Sequence, residues 1–556
     1  MNGAQYIAET LAAQKVDHVF LVMAILRRGL VEMEKVGIKR VVVHSEKGAT
    51  YMADGYARIS GKPSVAMSQS VGAANLAAGL QDAFLAHSPV IALTGRKQPL
   101  FQYRNAYQEI LHGPMFDQVT KYNANIDDAE QLPFILQQLF REATTGAPRP
   151  VHADLLGLSG EVIEQGDVRL PLFSNGQYTT FPAFRPAADP ALVLEALKLI
   201  KQAKRPIIVA GGGSIVSGAG GEVLSLAEAL SLPVATSNAG KGIIPENHPL
   251  AVGIVGSYGQ QCANRSVSEA DLVLFIGSAT GDQVTLDWTI PAVGTQVIQI
   301  DINPSELGRS YPNALEIYGD AKTVLQQIIA VLKPNRERQA WTDQVRGYVR
   351  EWQEMILPRL ASDEAPIRPE RLCAEINRNM PKDAILVADT GYSCVWASTM
   401  ISLTQSTQRF IRAAGSLGWA FPASLGAKCA APSRPVICFS GDGAFLYHLP
   451  ELETAKRWGI NTVTIINNNS CFGQSITGVE KAYGTSSGNR NQLMNFEKTN
   501  YARIAEDFGC MGIRVETPAE IAPAIKSALK ADKPVVIDVM TSSNCHPPDL
   551  WRPAGK

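Results

Sequence analysis

Three times along the chain, short runs rich in β-branched residues are separated by longer amphipathic stretches, and this alternation limits the available folds more than any other feature. In the first stretch IKRVVVHS, PSVAMSQ, PVIALTG and RPVHADL read as buried strands, with GATYMADGYARIS and AANLAAGLQDAFLAH as helices between them. Near-continuous apolar strands spaced by helices belong to parallel sheets covered on both faces. RPIIVAGGGS, LPVATSN, ADLVLFIGS and TQVIQIDIN repeat the pattern, and AILVADT, RPVICFSGD, NTVTIINN and PVVIDVM repeat it again. The expected fold is α/β: three doubly wound parallel-sheet domains at residues 1–165, 188–332 and 368–540, then a Pro-broken tail at 541–556. The segment from EVIEQGDVRLPLF to YTTFPAFRPAADP has neither period and reads as a linker, and PNRERQAWTDQVRGYVREWQEMI as a polar, helix-rich bridge.

A chain of 556 residues has room for three such units. Lys and Arg number 51 against 52 Asp and Glu, a balance that offers no footprint for DNA or RNA. The eight cysteines form no C-x-x-C pair and the eight histidines are scattered, so neither a thiolate metal site nor a disulfide framework is expected. MNGAQYIAETLAAQ shows no basic segment followed by an apolar core and small-residue cleavage site and is not expected to be a leader, and no stretch reaches the roughly 20 apolar residues of a membrane span. The expectation is a cytoplasmic protein with no membrane partner.

The sharpest chemical signal lies in the third unit. Strand PVICFS runs into Gly441-Asp442-Gly443, a helical pattern follows, and strand NTVTII ends in Asn467-Asn468-Asn469. The carboxyl ends of both strands of a βαβ unit open on one edge, so Asp442 meets the Asn cluster although 27 positions separate it from Asn469. One carboxylate, one amide oxygen and one backbone carbonyl form a hard oxygen set suited to Mg²⁺ or Ca²⁺. Gly441 and Gly443 let the backbone approach a phosphate, and the following helix offers its N–H groups. Each motif alone is equally turn chemistry; paired, they point to a magnesium-bound diphosphate. A second carboxylate, Glu46, opens the helix after RVVVHS, where it either complements the helix dipole or serves a cofactor.

Gly-Asp-Gly followed some two dozen residues or more later by Asn-Asn resembles the motif of the thiamine-diphosphate (ThDP) enzymes, and the flanking sequence is similar to their acetolactate synthase branch. The resemblance implies that Asp442, the Asn469 side chain and the Cys471 carbonyl ligate Mg²⁺, with Ala444, Phe472 and Gly473 beside the cofactor. It implies that Glu46, followed by Asp54-Gly55-Tyr56-Ala57-Arg58, is the activating glutamate. Partly buried and with a raised pKa, it would share a proton with the pyrimidine; the imino form then generates the ylide that attacks a carbonyl, leading to an enamine. SQSVGAANLAAGL matches the segment bordering the pyrimidine, which assigns Val71, Gly72 and Asn75 to the cofactor and Ser70 to substrate. Gln108, in AYQEILHGPMFDQVTKYN, matches a glutamine that faces the reaction centre and is read as catalytic. AAGSLGWAFPASLGAK places Leu417, with Gly415, Gly418 and Pro422 nearby, where a bulky residue holds ThDP bent. DTGYSCVW brings Gly391, Tyr392, Ser393 and Cys394 to the diphosphate. Gln474, Ser475 and Ile476 fall where members select substrates.

The implied function is ThDP- and Mg²⁺-dependent cleavage or formation of the carbon–carbon bond beside a carbonyl on short 2-oxo acids, as an acetolactate synthase-like carboligase or decarboxylase. The alternatives are a 2-hydroxyacyl-CoA lyase or oxalyl-CoA-decarboxylase-like enzyme acting on an acyl-CoA, a nucleotide-binding dehydrogenase and a catalytically silent paralogue. In the family the site lies between the first unit of one chain and the third of another, which implies at least a homodimer, with a homotetramer common. The chain also departs from its relatives. Ala279-Thr280-Gly281-Asp282-Gln283 replaces R-F-D-D-R beside a flavin, which argues against FAD, while Gly211-Gly212-Gly213 and Asp301 leave ADP or CoA open. Ser70-Val71 replaces Gly-Pro, and Gln69 stands where benzoylformate decarboxylases have a histidine. Arg96, Lys97, Arg104 and Arg412 are candidates to hold a carboxylate or a CoA phosphate, and Trp551 and Arg552 would make the tail a lid.

Overall fold

The structure is a computed structural model that describes residues 1–334 and 337–553. The first sheet contains β1 (His18–Leu21), β2 (Lys39–Val42), β3 (Ser64–Ser68), β4 (Val90–Arg96), β5 (Tyr122–Ile126) and β6 (Val151–Leu156), in the order β2-β1-β3-β4-β6-β5. The second contains β7 (Pro206–Ala210), β8 (Val234–Thr236), β9 (Ala251–Ile254), β10 (Leu272–Ile276), β11 (Gln296–Asp301) and β12 (Leu315–Tyr318), ordered β12-β11-β10-β7-β8-β9. The third contains β13 (Ile385–Ala388), β14 (Arg409–Arg412), β15 (Val436–Gly441), β16 (Val463–Asn468), β17 (Met511–Val515) and β18 (Val535–Met540), ordered β14-β13-β15-β16-β18-β17. Every named pair is parallel. The fold is thus α/β with three six-stranded parallel sheets.

The segment read as an irregular linker begins with a short helix, Glu161–Gln165, and the bridge contains the long helix Gln339–Leu360. Among the described residues no helix is long and apolar enough to cross a membrane. All eight cysteines are free thiols.

The first and third units share one hydrophobic core, in which Phe20, Tyr51 and Leu80 meet Trp419, Phe421 and Phe445. Its centre is the crossing of helix Glu46–Ser60 with helix Ala420–Ala430. A Cβ on Gly55 would fall 2.1 Å from the Ala423 carbonyl oxygen, and one on Gly426 would fall 1.8 Å from that of Met52, so the two backbones touch directly. Asp82, on helix Gly72–Leu85, accepts backbone N–H bonds from Ala414, Gly415 and Ser416 at 2.9–3.1 Å. Arg58 bridges Asp54 and Asp82, donates to the Arg412 carbonyl and lies over the Trp419 ring, whose Nε1 donates to Asp54. The Asp-Gly-Tyr-Ala-Arg run therefore joins the first unit to the loop before helix Ala420–Ala430.

Candidate active site

In both the first and third sheets the strand order reverses between the first and third strands, the point beyond whose carboxyl ends open α/β sheets bind ligands. In the first unit the segment after β3 supplies Ser70, Val71 and Gly72. Glu46 is the first residue of its helix, whose preceding residue, Ser45, accepts from the Gly48 N–H at 2.9 Å. The half-buried Glu46 carboxylate accepts from Asn75 Nδ2 at 3.1 Å, and a Cβ on Gly72 would lie 2.5 Å from its other oxygen. The sequence-predicted residues Glu46, Gly72 and Asn75 thus form one cluster. Val71 is exposed beside it. Ser70 is fully buried, and its hydroxyl donates to the Gln108 carbonyl at 2.6 Å rather than lining an open pocket. The Gln108 Oε1 atom is buried without a hydrogen-bond partner.

In the third unit β15 and β16 are neighbours, with Gly441 opposite Asn467, so Asp442 and the Asn cluster share an edge as expected. Asp442 is buried; its carboxylate accepts from the Gly443 N–H at 2.9 Å, and burial pushes its pKa up to about 7. Asn468 is anchored by Asp538 and the Thr499 carbonyl, whereas the buried Asn467 Oδ1 has no partner. Asn469 Oδ1 accepts from the Cys471 N–H at 3.2 Å. Gly441 faces Ser393: a Cβ there would sit 3.1 Å from the Ser393 hydroxyl. Gly443 has a packing role, because a Cβ would fall 2.7 Å from Phe472 and 2.9 Å from Phe496, two rings in T-shaped contact. Ala444 is buried in the short helix Asp442–Phe445.

Gly391, Tyr392, Gly473 and Gln474 meet at the mouth: Cβ atoms on Gly391 and Gly473 would lie 3.3 Å from Gln474 Oε1 and 3.4 Å from the Tyr392 ring. Gln474 Nε2 donates to the Tyr258 hydroxyl of the central unit at 3.0 Å, and Ile476 opens the next helix. Leu417 is half-buried in the loop clamped by Asp82, next to exposed Gly415. The other end of that loop is held by Asp389, which accepts from the N–H groups of Thr390, Gly418 and Ala420 and is pushed by burial to about 6. Sequence reasoning assigned nothing to Asp82, Asp389 or Tyr258; an acid within the largely buried helix AANLAAGLQDAFLAH was the one available signal.

Several cations have protein partners. Arg96 pairs with Asp127, Lys97 lies over Phe101, and Arg412 donates to the Ala413 carbonyl and to Gln283. In the central unit the N–H groups of Gly211 and Gly213 bond the Ile276 and Gly277 carbonyls, so this turn offers a phosphate fewer donors than its glycines suggest. Asp301 accepts from the Asn303 N–H and is raised by burial to about 6. The tail passes Tyr392 at His546, and then its Asp549 and Trp551 carbonyls accept from Gln261 and Asn264 of the central unit. Residues 554–556, the end of the expected lid, lie outside the described residues.

Comparison with known families matches residues 1–119 to the thiamine pyrophosphate enzyme N-terminal TPP binding domain, 193–328 to the central domain and 389–539 to the C-terminal TPP binding domain. A probable acetolactate synthase large subunit of Methanocaldococcus jannaschii is 32% identical over 97% of this chain and 92% of its own length. Its counterpart from Methanococcus aeolicus is 33% identical over the same shares. The acetolactate synthase large subunit of Haemophilus influenzae is 27% identical over 98% of this chain and 95% of its own.

Proposed function

Because the chain belongs to the thiamine pyrophosphate enzyme family, in its acetolactate synthase-like branch, we propose that it makes or breaks the carbon–carbon bond beside the carbonyl of short 2-oxo acids, with Mg²⁺ tethering the coenzyme diphosphate. The observation that carries this reading is the likeness to acetolactate synthase large subunits along almost the whole chain. The donor set supports the ion. Asp442 is a buried carboxylate with no ion-pair partner among the described residues, and Asn467 keeps an unpartnered buried amide oxygen nearby; uncompensated hard oxygens suit a divalent cation. In this reading residues 368–540 bind the diphosphate, with Asp442, Asn469 and the Cys471 carbonyl on Mg²⁺, and residues 1–165 bind the pyrimidine.

When bound, the coenzyme would supply the electron sink for the pair left on the carbonyl carbon as its neighbour departs, and that pair would form the new bond when a second carbonyl joins. Glu46 holds and passes a proton at its carboxyl group, Asn75 fixes one of its oxygens and Gly72 leaves room beside the other. Leu417, on a loop clamped from both sides, would give the coenzyme an apolar support. Gln108 offers its free carboxamide oxygen to the reaction centre, and Gln474 and Ile476 select the substrate. Leu100, Tyr103 and Tyr107 are 73–88% exposed on the loop that carries Gln108. An apolar surface beside the site fits a second copy of the chain, so the working unit is at least a homodimer, and in its full form a homotetramer.

Titration calorimetry of ThDP with and without Mg²⁺ tests the tether: Asp442→Ala is expected to weaken Mg²⁺-dependent binding about 100-fold or more, and full retention overturns it. Incubation with pyruvate tests the reaction. CO₂ release with a ligated product supports it, whereas consumption of an acyl-CoA with pyruvate untouched redirects the assignment to the lyase.

A further inference from the structure

A buried polar chain starts at Gln108 and runs across the first sheet, and the proposed reaction does not use it. Ser70 gives its one hydroxyl hydrogen to the Gln108 carbonyl, and His112 Nε2 lies 3.4 Å from the Ser70 hydroxyl oxygen. His112 Nδ1 lies 3.0 Å from Asp154 Oδ2, and Asp154 Oδ1 accepts from the Thr94 hydroxyl at 2.8 Å. Thr94 also meets His152 Nε2 at 2.7 Å, and His152 Nδ1 lies 2.7 Å from Asn123 Oδ1. Ser70, Thr94, His112, His152 and Asp154 are each no more than 1% exposed. Groups desolvated to this degree are costly unless satisfied, and here they lie in one continuous set of contacts, in which the single Thr94 hydroxyl hydrogen faces both Asp154 and His152.

The end of this chain is a strained residue. Gln108 has φ +56°, and Tyr103 and Asn105 in the same loop have +61° and +56°. A left-handed backbone is strained for a non-glycine residue and persists only where the surroundings impose it. Glu109 holds the loop tip by accepting from the Tyr103 and Ala106 N–H groups, and the Ser70 hydroxyl holds Gln108 itself. The Gln108 Oε1 atom is left buried and unpartnered, as a group kept for a ligand would be.

We propose that Ser70, His112 and Asp154 are positioning residues that lock Gln108 in its left-handed conformation and so present its carboxamide, already oriented, to the substrate. Asp154 is fixed on β6 and Thr94 on β4, so a loop whose outer residues stand in solvent takes its reference from two central strands. Orientation set in advance lowers the cost of reaching the reactive geometry. This rests on the reading of Gln108 as a group at the reaction centre.

A double-mutant cycle separates positioning from plain structural support. Ser70→Ala and His112→Gln are each expected to lower kcat for pyruvate consumption about tenfold with KM little changed, but by less than about twofold in a Gln108→Ala background. Equal losses in both backgrounds overturn the proposal. If Gln108→Ala lowers turnover while Ser70→Ala and His112→Gln do not, the relay fails and the reading of Gln108 stands; if Gln108→Ala turns over normally, both fall. Ser70→Ala removes a single oxygen and guards against a His112 variant that does not fold. Hydrogen exchange in the coenzyme-free protein gives a readout independent of activity: residues 103–112 should exchange faster in Ser70→Ala, and an unchanged rate overturns the proposal.

Discussion

The first and third sheets have the same strand order, yet the edges beyond the carboxyl ends of their strands are furnished in opposite ways. The third carries, after its strands, a buried carboxylate and one unpartnered amide oxygen. The first has a half-buried carboxylate at a helix start and a long loop held in a strained conformation by buried hydroxyl and imidazole groups. Strand order decides where a ligand lies; the residues after each strand decide what happens to it.

The hardest blow to that contrast would come from Glu46→Gln. If the first unit handles the proton and the third only tethers, this variant should slow hydrogen exchange at the thiazolium C2 of bound ThDP about 10²–10⁴-fold while calorimetric affinity for the coenzyme barely changes. Unaltered exchange would take Glu46 out of the reaction. Asp82→Ala, at the seam, should have a smaller effect. It strips a carboxylate from the N–H groups of Ala414, Gly415 and Ser416, and a loss of about 2–4 kcal/mol is expected. A thermal midpoint equal to that of the parent would show that the units are not held together there.

The finest distinction concerns protons taken up on acidification. Burial holds His152 at about 3, whereas its unfolded imidazole protonates near 6.5, so the unfolded state binds more protons between those values. The contribution is present above pH 6.5 and is lost as pH falls, by about 1.4 kcal/mol per unit. Asp389 in the third unit acts in the other sense. Its folded pKa of about 6 exceeds the unfolded one, so its contribution is present in acid and lost as pH rises through 6. His152→Asn should therefore flatten the fall of the thermal midpoint between about pH 6.5 and 4.5; the same fall in variant and parent would refute the assignment.

Most strands legible in the sequence are buried on both faces, although IKRVVVHS, read as buried, is the partly exposed edge strand β2. β5, β12, β14 and β17 show no apolar run because each is an edge strand with partly exposed residues. Asp442 and the Asn cluster were legible because one βαβ unit brings them together within a short span of chain. The Ser70–His112–Asp154 contacts were not, since side chains 42 residues apart leave no periodic mark. Nor does a motif show what fills the space beside a glycine: two phenyl rings stand where a Cβ on Gly443 would go. Arg96, one candidate to hold a carboxylate, is paired with Asp127.

The crossing at Gly55 and Gly426 bears on how substrate gets in. Where main chain rests on main chain there are no rotamers to reshuffle, so the first unit has no low-cost way to swivel on the third. Breathing of the entrance is left to peripheral loops, and fast labels placed on residues 97–112 and 470–500 would report the gate while the chassis stays still.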